Sequence, residues 1–374
     1  MNAMLESLET PSLILDADRL ERNCERMRER LRGRGVALRP HVKTAKSVEV
    51  AQRALGAESG AITVSTLREA EYFFDHGFRD ILYAVGMVPG KVRRLAELAN
   101  RGARVTAIVD GVQAAAALGA AGAVVGLRIP ALIEIDCDGH RAGIVPGDPR
   151  LLEVAAALGA SLAGVMTHAG GSYDAHSPEV IREVAARERA AVVDSAGALR
   201  AAGFACPVVS VGSTPTATFG ESFEGVSEVR AGVYVFQDLV MAGLGVCGVD
   251  DIALSVLGTV IGHQRERHWV LVDAGWMALS RDRGTARQRI DQGYGVVCDV
   301  AGAPIEDLVV VEANQEHGIV ARRGGGAIDF ARFPVGALLR VLPNHACATA
   351  AQHAEYHVLR GGRLVDTWER FGGW

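Results

Sequence analysis

The sequence predicts an α/β protein, a closed (β/α)8 barrel followed by a mainly antiparallel β domain. Three observations lead there. Eight short apolar runs alternate with helix-forming stretches and recur about every 25 residues, the pattern of parallel strands covered on both faces. The GxGxxG turn that an open dinucleotide-binding sheet carries after its first strand is missing. Beyond Gly243 the helical stretches drop out, and the apolar runs are joined by turns containing Gly and Asp.

In chain order, SLILD (12–16) is a short strand that leads into a helix over 17–32, closed by Gly33 and Gly35. The eight barrel runs are VALRPH (36–41), AITVST (61–66), DILYAV (80–85), RVTAIVD (104–110), ALIEID (131–136), LAGVMTHAG (162–170), VVSVGST (208–214) and EVRAGVYVF (228–236). Chemistry in such a barrel sits where strands end and loops begin. Lys43, Ser65, Asp136, His168, Ser213 and Tyr234 all fall at or near such ends. Later, IALSVLGTVIG, HWVLVDAG, LVVVEANQEHG, ALLRVLPNHA and YHVLRGGRLVDTW read as strands, the last as a hairpin about Gly361 and Gly362. The expected domains are residues 12–242 and 243–374, with residues 1–11 packed on the second.

The 374 residues, 49% of them hydrophobic, suffice for two cores. A net charge of −5 without a basic block gives no reason to expect nucleic acid. Six scattered cysteines with no CxxC pair suit a reducing compartment. The acidic N-terminus lacks the apolar core of a signal peptide, and no apolar run reaches membrane-spanning length. The expectation is a soluble, cytoplasmic protein without a membrane partner.

Lys43 lies just past the first barrel strand, stopped by Pro40, with Arg39, His41 and Lys46 close in sequence. It reads either as a surface loop lysine or as an amine kept neutral by desolvation and neighbouring cations, the form that Schiff-base chemistry needs. In PNHAC, His345 and Cys347 stand two apart, on one face if the segment is a strand. They are an open divalent-metal site, with zinc favoured, or a core Cys beside an exposed His. Gly212, Ser213 and Thr214, with Gly232 and Val233, end the last two barrel strands. Loop amides there hold phosphate in many barrels, or the glycines and serines simply turn the chain. His168, with Tyr173 beyond it, is a base, a ring-stacking group or a bonded rim residue. Arg141 can steady an anion, and Arg230 needs an acceptor to tolerate burial. His353 and His357 read as surface rather than as a third ligand.

Together PHVKTAKS, VGST, VRAG and PNHAC resemble the fold-type III pyridoxal-phosphate (PLP) enzymes, alanine-racemase-like proteins, and within them the D-threonine aldolase and D-serine dehydratase group. The resemblance covers nearly the whole chain, and TPSLILD and LPNHACATAAQHAEYHV are particularly similar to bacterial D-threonine aldolases. It implies that Lys43 carries PLP as a Schiff base and that Gly212, Ser213, Thr214, Gly232 and Val233 hold the phosphate. It also implies that His345 and Cys347 bind zinc or manganese, that His168 assists at the substrate hydroxyl, and that Arg141 and Tyr173 lie near the cofactor ring. Some aldolases of the group carry Asp where this chain has Cys347, which leaves the metal and the choice of reaction open.

The expected activity is metal-dependent retro-aldol cleavage of D-threonine and other D-3-hydroxyamino acids to glycine and an aldehyde. The alternative is dehydration of D-serine or D-threonine to a 2-oxo acid and ammonia. A racemase would leave the metal pair without a role, and a PLP carrier would leave the second domain without one. With Lys43 and His345 in different domains, the site is expected to draw on both, in a homodimer.

Overall fold

The computed structural model describes residues 5–56 and 60–374. The chain forms two units, one of Glu25–Gly232 with the last two residues, the other of the segment ending at Cys24 with Val233–Gly372. The strands in chain order are β1 (Ser12–Asp16), β2 (Ala37–Leu38), β3 (Ala61–Val64), β4 (Asp80–Gly86), β5 (Arg104–Val109), β6 (Ala131–Ile135), β7 (Leu162–Thr167), β8 (Val208–Val211) and β9 (Glu228–Val229). They are followed by β10 (Leu254–Gln264), β11 (Trp269–Val272), β12 (Gly295–Cys298), β13 (Pro304–Ala313), β14 (Gly318–Arg322), β15 (Leu338–Pro343), β16 (Glu355–Arg360) and β17 (Arg363–Glu369).

The first unit is the expected barrel. Its eight parallel strands run β2-β9-β8-β7-β6-β5-β4-β3, and a parallel bridge between His41 and Thr63 joins the two ends. Each of the eight apolar runs contributes one strand. Leu82, Ile108, Leu132 and Met166, one from each of four consecutive strands, pack as a fully buried cluster. The crossover helices start where the sequence supplies caps. Thr66 accepts the Glu69 N–H, and Ser177, followed by Pro178, accepts the Val180 N–H at the head of helix Pro178–Ala201.

The second unit is one sheet in the order β11-β14-β13-β12-β15-β10-β1-β16-β17, in which β10 also pairs with β11. All its pairings are antiparallel except one. β1 is parallel to β16 and antiparallel to β10. The strand expected to open the barrel domain therefore lies inside the other sheet, because LILD offers apolar side chains that its two neighbours bury. Leu5 joins Ile14, Leu257 and Leu359 in that sheet's core, while residues 1–4 of the segment expected there lie outside the described residues. The sequence reading also missed β12 and β14; GVVC and GIVAR are too short to declare a period of two. The hairpin β16–β17 turns at Gly361 and Gly362, both with positive φ (56° and 72°), as a two-residue turn demands. No described helix is long and apolar enough to cross a membrane, and none of the six cysteines is in a disulfide among the described residues.

Candidate active site

In the barrel unit, the loop after β2 is held on both flanks. Arg39 donates to Glu228 (2.7 Å) and Asp80 (2.8 Å). Lys46, in left-handed conformation (φ 47°), pairs with the fully buried Glu69 at 3.2 Å. Between these anchors the His41 and Val42 amides donate to Ala231 and Thr63. Lys43 itself is exposed, as the surface-loop reading of the sequence has it. Two of the three sequence-adjacent cations are paired, because Arg39 and Lys46 each face a carboxylate. The side chains that feel the charge of Lys43 are the imidazoles of His41 and, from a remote strand end, His168.

Those groups depress one another. Burial, then Lys43, Arg230 and His168, hold His41 well below the usual imidazole range. Burial first, then Lys43, Arg230 and Arg141, push His168 down to about 4 against the support of its bond to Gly212. His168 Nδ1 lies 2.6 Å from the Gly212 carbonyl, which can only accept, so the ring carries its hydrogen on Nδ1. Tyr173 stands 6.2 Å from the His168 ring, centroid to centroid. Arg230, buried, finds the acceptors it needs in the Thr167 carbonyl and the Ser210 hydroxyl. Arg141 is exposed and reaches Glu134 at 3.2 Å.

The glycines at the last two strand ends are forced by contact. A Cβ at Gly212 (φ 154°) would lie 1.8 Å from the Arg230 carbonyl oxygen, and one at Gly232 2.9 Å from that of His41. Ser213 caps the following helical turn, and its hydroxyl is shared with Ser172 and Thr216, both at 2.9 Å. Beneath them lies Glu188, a residue that the sequence reading did not single out. One of its oxygens accepts the amides of Ala169 (3.1 Å) and Gly212 (3.0 Å), tying the ends of β7 and β8 together. Burial raises its pKa, opposed by Thr216 and those amides. Its signal was available. Ile181, Val184, Ala185, Glu188, Ala191 and Val192 form one buried helical stripe with a single charge in it.

In the β unit, β15 ends at Pro343, and His345 and Cys347 are not on a strand. His345 is the N-cap of the short helix Ala346–Ala350, and Cys347 lies in its first turn. The two side chains nonetheless meet in a hydrogen bond. His345 Nδ1 is 2.6 Å from the Asp282 carboxylate. Burial opposes a charge on the ring, but Cys347, Asp282 and Asp238 outweigh it and raise its pKa. Asp238, fully buried, accepts the Ala346 and Met241 amides. His353 Nε2 donates to the Ala278 carbonyl (3.0 Å), and His357 lies 3.4 Å from Glu355, so neither is plain surface.

The residues fit the groups that such chemistry needs. Two imidazoles lie near Lys43, and at the last two strand ends Gly212 and Gly232 bring bare backbone close to Arg230 and to the His41 loop, a setting that suits a phosphate-bearing cofactor. An imidazole held in one tautomer, beside a thiol, suits a borderline-soft divalent ion. Among the described residues no three of His, Cys, Asp and Glu are placed to hold an ion together, so the protein would supply two ligands and leave the rest open.

A barrel with a lysine at its first strand end, joined in one chain to an antiparallel β unit with a His–Cys pair, defines a class. Residues 15–239 match the family model for the alanine racemase N-terminal domain, and residues 253–359 that for a putative serine dehydratase domain. The chain belongs to the fold-type III, alanine-racemase-like PLP family that contains D-serine dehydratases and D-threonine aldolases. Within it, the chain is 54% identical to D-threo-3-hydroxyaspartate dehydratase of Delftia sp., over all of both chains, and that enzyme's structure superposes with a TM-score of 0.97 over 99% of each. D-serine dehydratase of Dictyostelium discoideum is 30% identical, over 97% of this chain and 96% of its own. D-threonine aldolase from Filomicrobium marinum is 28% identical, with a TM-score of 0.83 over 98% and 96%. The group expected from sequence is therefore right, while its emphasis on D-threonine aldolase is not where the high identity lies.

Proposed function

We propose that this chain is a PLP- and divalent-metal-dependent dehydratase of D-3-hydroxyamino acids, with D-threo-3-hydroxyaspartate the preferred substrate and D-threonine and D-serine as further candidates. The observation that carries this reading is the 54% identity, end to end, to an enzyme of that name. The state of His168 is compatible with it. Burial and neighbouring cations keep the His168 ring neutral, with its hydrogen directed to Gly212, a state suited to orienting a substrate through Nε2.

In this reading PLP, bound at Lys43, supplies an electron sink at Cα. An ion held by His345 and Cys347 supplies Lewis acidity for departure of the hydroxyl, with zinc or manganese as candidates. The Lys43 amine, exchanged for the substrate amine, takes the Cα proton. Gly212, Ser213, Thr214, Gly232 and Val233 hold the phosphate, and Arg141 and Tyr173 flank the ring. His168 then orients through its unprotonated Nε2. The chain works as a cytoplasmic homodimer, which light scattering of the purified protein tests.

Product analysis decides the reaction. Purified protein with PLP would receive D-threo-3-hydroxyaspartate, D-threonine or D-serine, with and without Zn²⁺ or Mn²⁺. Oxaloacetate and ammonia from the first substrate are expected. Glycine with glyoxylate, or with acetaldehyde from D-threonine, would replace the dehydratase by an aldolase.

A further inference from the structure

A histidine that binds a metal through one ring nitrogen must keep its hydrogen on the other, and an acceptor there fixes both tautomer and ring plane. At His345 that acceptor is Asp282, 2.6 Å from Nδ1, which leaves Nε2 for an ion, with Cys347 also bonded to the ring. Asp282 is not a third ligand, because no three donor residues converge among those described.

Asp282 lies in an exposed, arginine-bearing stretch (281–283), outside any strand or helix and just before the short 3-10 turn Gly284–Arg287. Its position nevertheless follows from the residue beside the ligand. Asn344, buried, accepts both the amide (3.0 Å) and the hydroxyl (2.6 Å) of the fully buried Thr285, and donates to the Gly293 carbonyl (2.6 Å). The loop is pinned again by Gln292, whose amide donates to Thr285 at 3.0 Å, and by Arg283 with Asp291 at 2.6 Å. A closed circuit results. His345 is followed back to Asn344, across to Thr285, along the loop to Asp282, and returns to His345. Asp238 does a separate task by holding the Ala346 amide between the two ligands.

We propose that Asp282 is the positioning residue of the metal pair. It presents Nε2 of His345 to the ion and adds a carboxylate charge behind the ring, so that ring, thiolate and carboxylate together balance a divalent cation. The proposal rests on the reading of His345 and Cys347 as metal ligands.

The test is metal affinity rather than turnover. The PLP-loaded protein and its D282A, D282N and H345A variants would be titrated with Zn²⁺ against a chromophoric chelator, and with Co²⁺ to read the thiolate charge-transfer band. D282A is expected to lose affinity by about 10–100-fold, with the cofactor absorbance and the metal-free thermal midpoint unchanged. D282N, which keeps a hydrogen-bonding oxygen without the charge, should fall between. Wild-type affinity in D282A, with binding lost in H345A, would overturn the proposal and leave the metal pair standing. Zn²⁺ binding that H345A does not weaken would remove the metal reading and this inference with it. Should D282A not fold, D282N decides alone, and an affinity equal to wild type overturns the proposal.

Discussion

Glu188, in the middle of a barrel helix, accepts the amide of Gly212 at the end of β8, and the carbonyl of the same Gly212 receives the His168 ring. A buried carboxylate is thus linked to the imidazole through a single residue, Gly212. Replacing it by Ala would orphan the Ala169 and Gly212 amides, each a cost of about 1–3 kcal/mol. Glu188→Gln keeps an oxygen acceptor and should cost about 1 kcal/mol. Urea unfolding of the two variants checks the order, and equal stabilities would refute it.

His168 makes stability depend on pH. Its folded pKa of about 4 lies below the ordinary 6.5, so between these values the unfolded chain binds a proton that the folded one refuses. The stabilisation is complete above pH 6.5 and is lost as pH falls toward 4, by at most about 3 kcal/mol. His168→Gln should flatten that slope between pH 7.5 and 5. Part of the slope should survive, since His41 is depressed in the same direction. An unaltered slope would mean that His168 ionises freely.

Two glycines separate fold from cofactor binding. Gly212→Ala places a methyl 1.8 Å from a strand carbonyl and should cost roughly 3 kcal/mol or more, read as a fall in the thermal midpoint. Gly232→Ala meets the His41 carbonyl oxygen at 2.9 Å and Thr44 Oγ1 at 3.0 Å, a milder clash than at Gly212 that would displace the His41 loop. PLP titration should show it chiefly as weakened cofactor binding. The reverse pattern would sink the assignment of Gly232 to the phosphate.

Lys43→Ala removes an exposed side chain, so the fold should change by less than about 0.5 kcal/mol. Absorbance of the bound cofactor should vanish with activity. Colour at full strength would end the Schiff-base assignment.

The barrel was legible because near-continuous apolar strands and capped helices repeat eight times, and each repeat confirmed the others. Motif singled out Lys43 and the His345–Cys347 pair but could not give their surroundings. Lys43 has an imidazole from a distant strand end near it, and the pair, read as two positions of one strand, spans a helix start instead. Pairing partners are not written in local sequence, which is why β1 was placed in the wrong sheet. Glu188 was hidden among the charges of ARERAA until its place on the apolar stripe was counted. Asp282 carried no signal, since only the fold brings a loop aspartate to a histidine 63 positions later.

The position of β1 between β10 and β16 also constrains biosynthesis. Of its two partners, β10 is made by Gln264 but β16 only by Arg360, whereas the barrel strands are complete by Val229. The barrel can therefore close during translation while an apolar N-terminal strand waits, exposed to competing strand edges. A chain halted before β16 would present β1 with an open flank, a natural handle for chaperones or for aggregation.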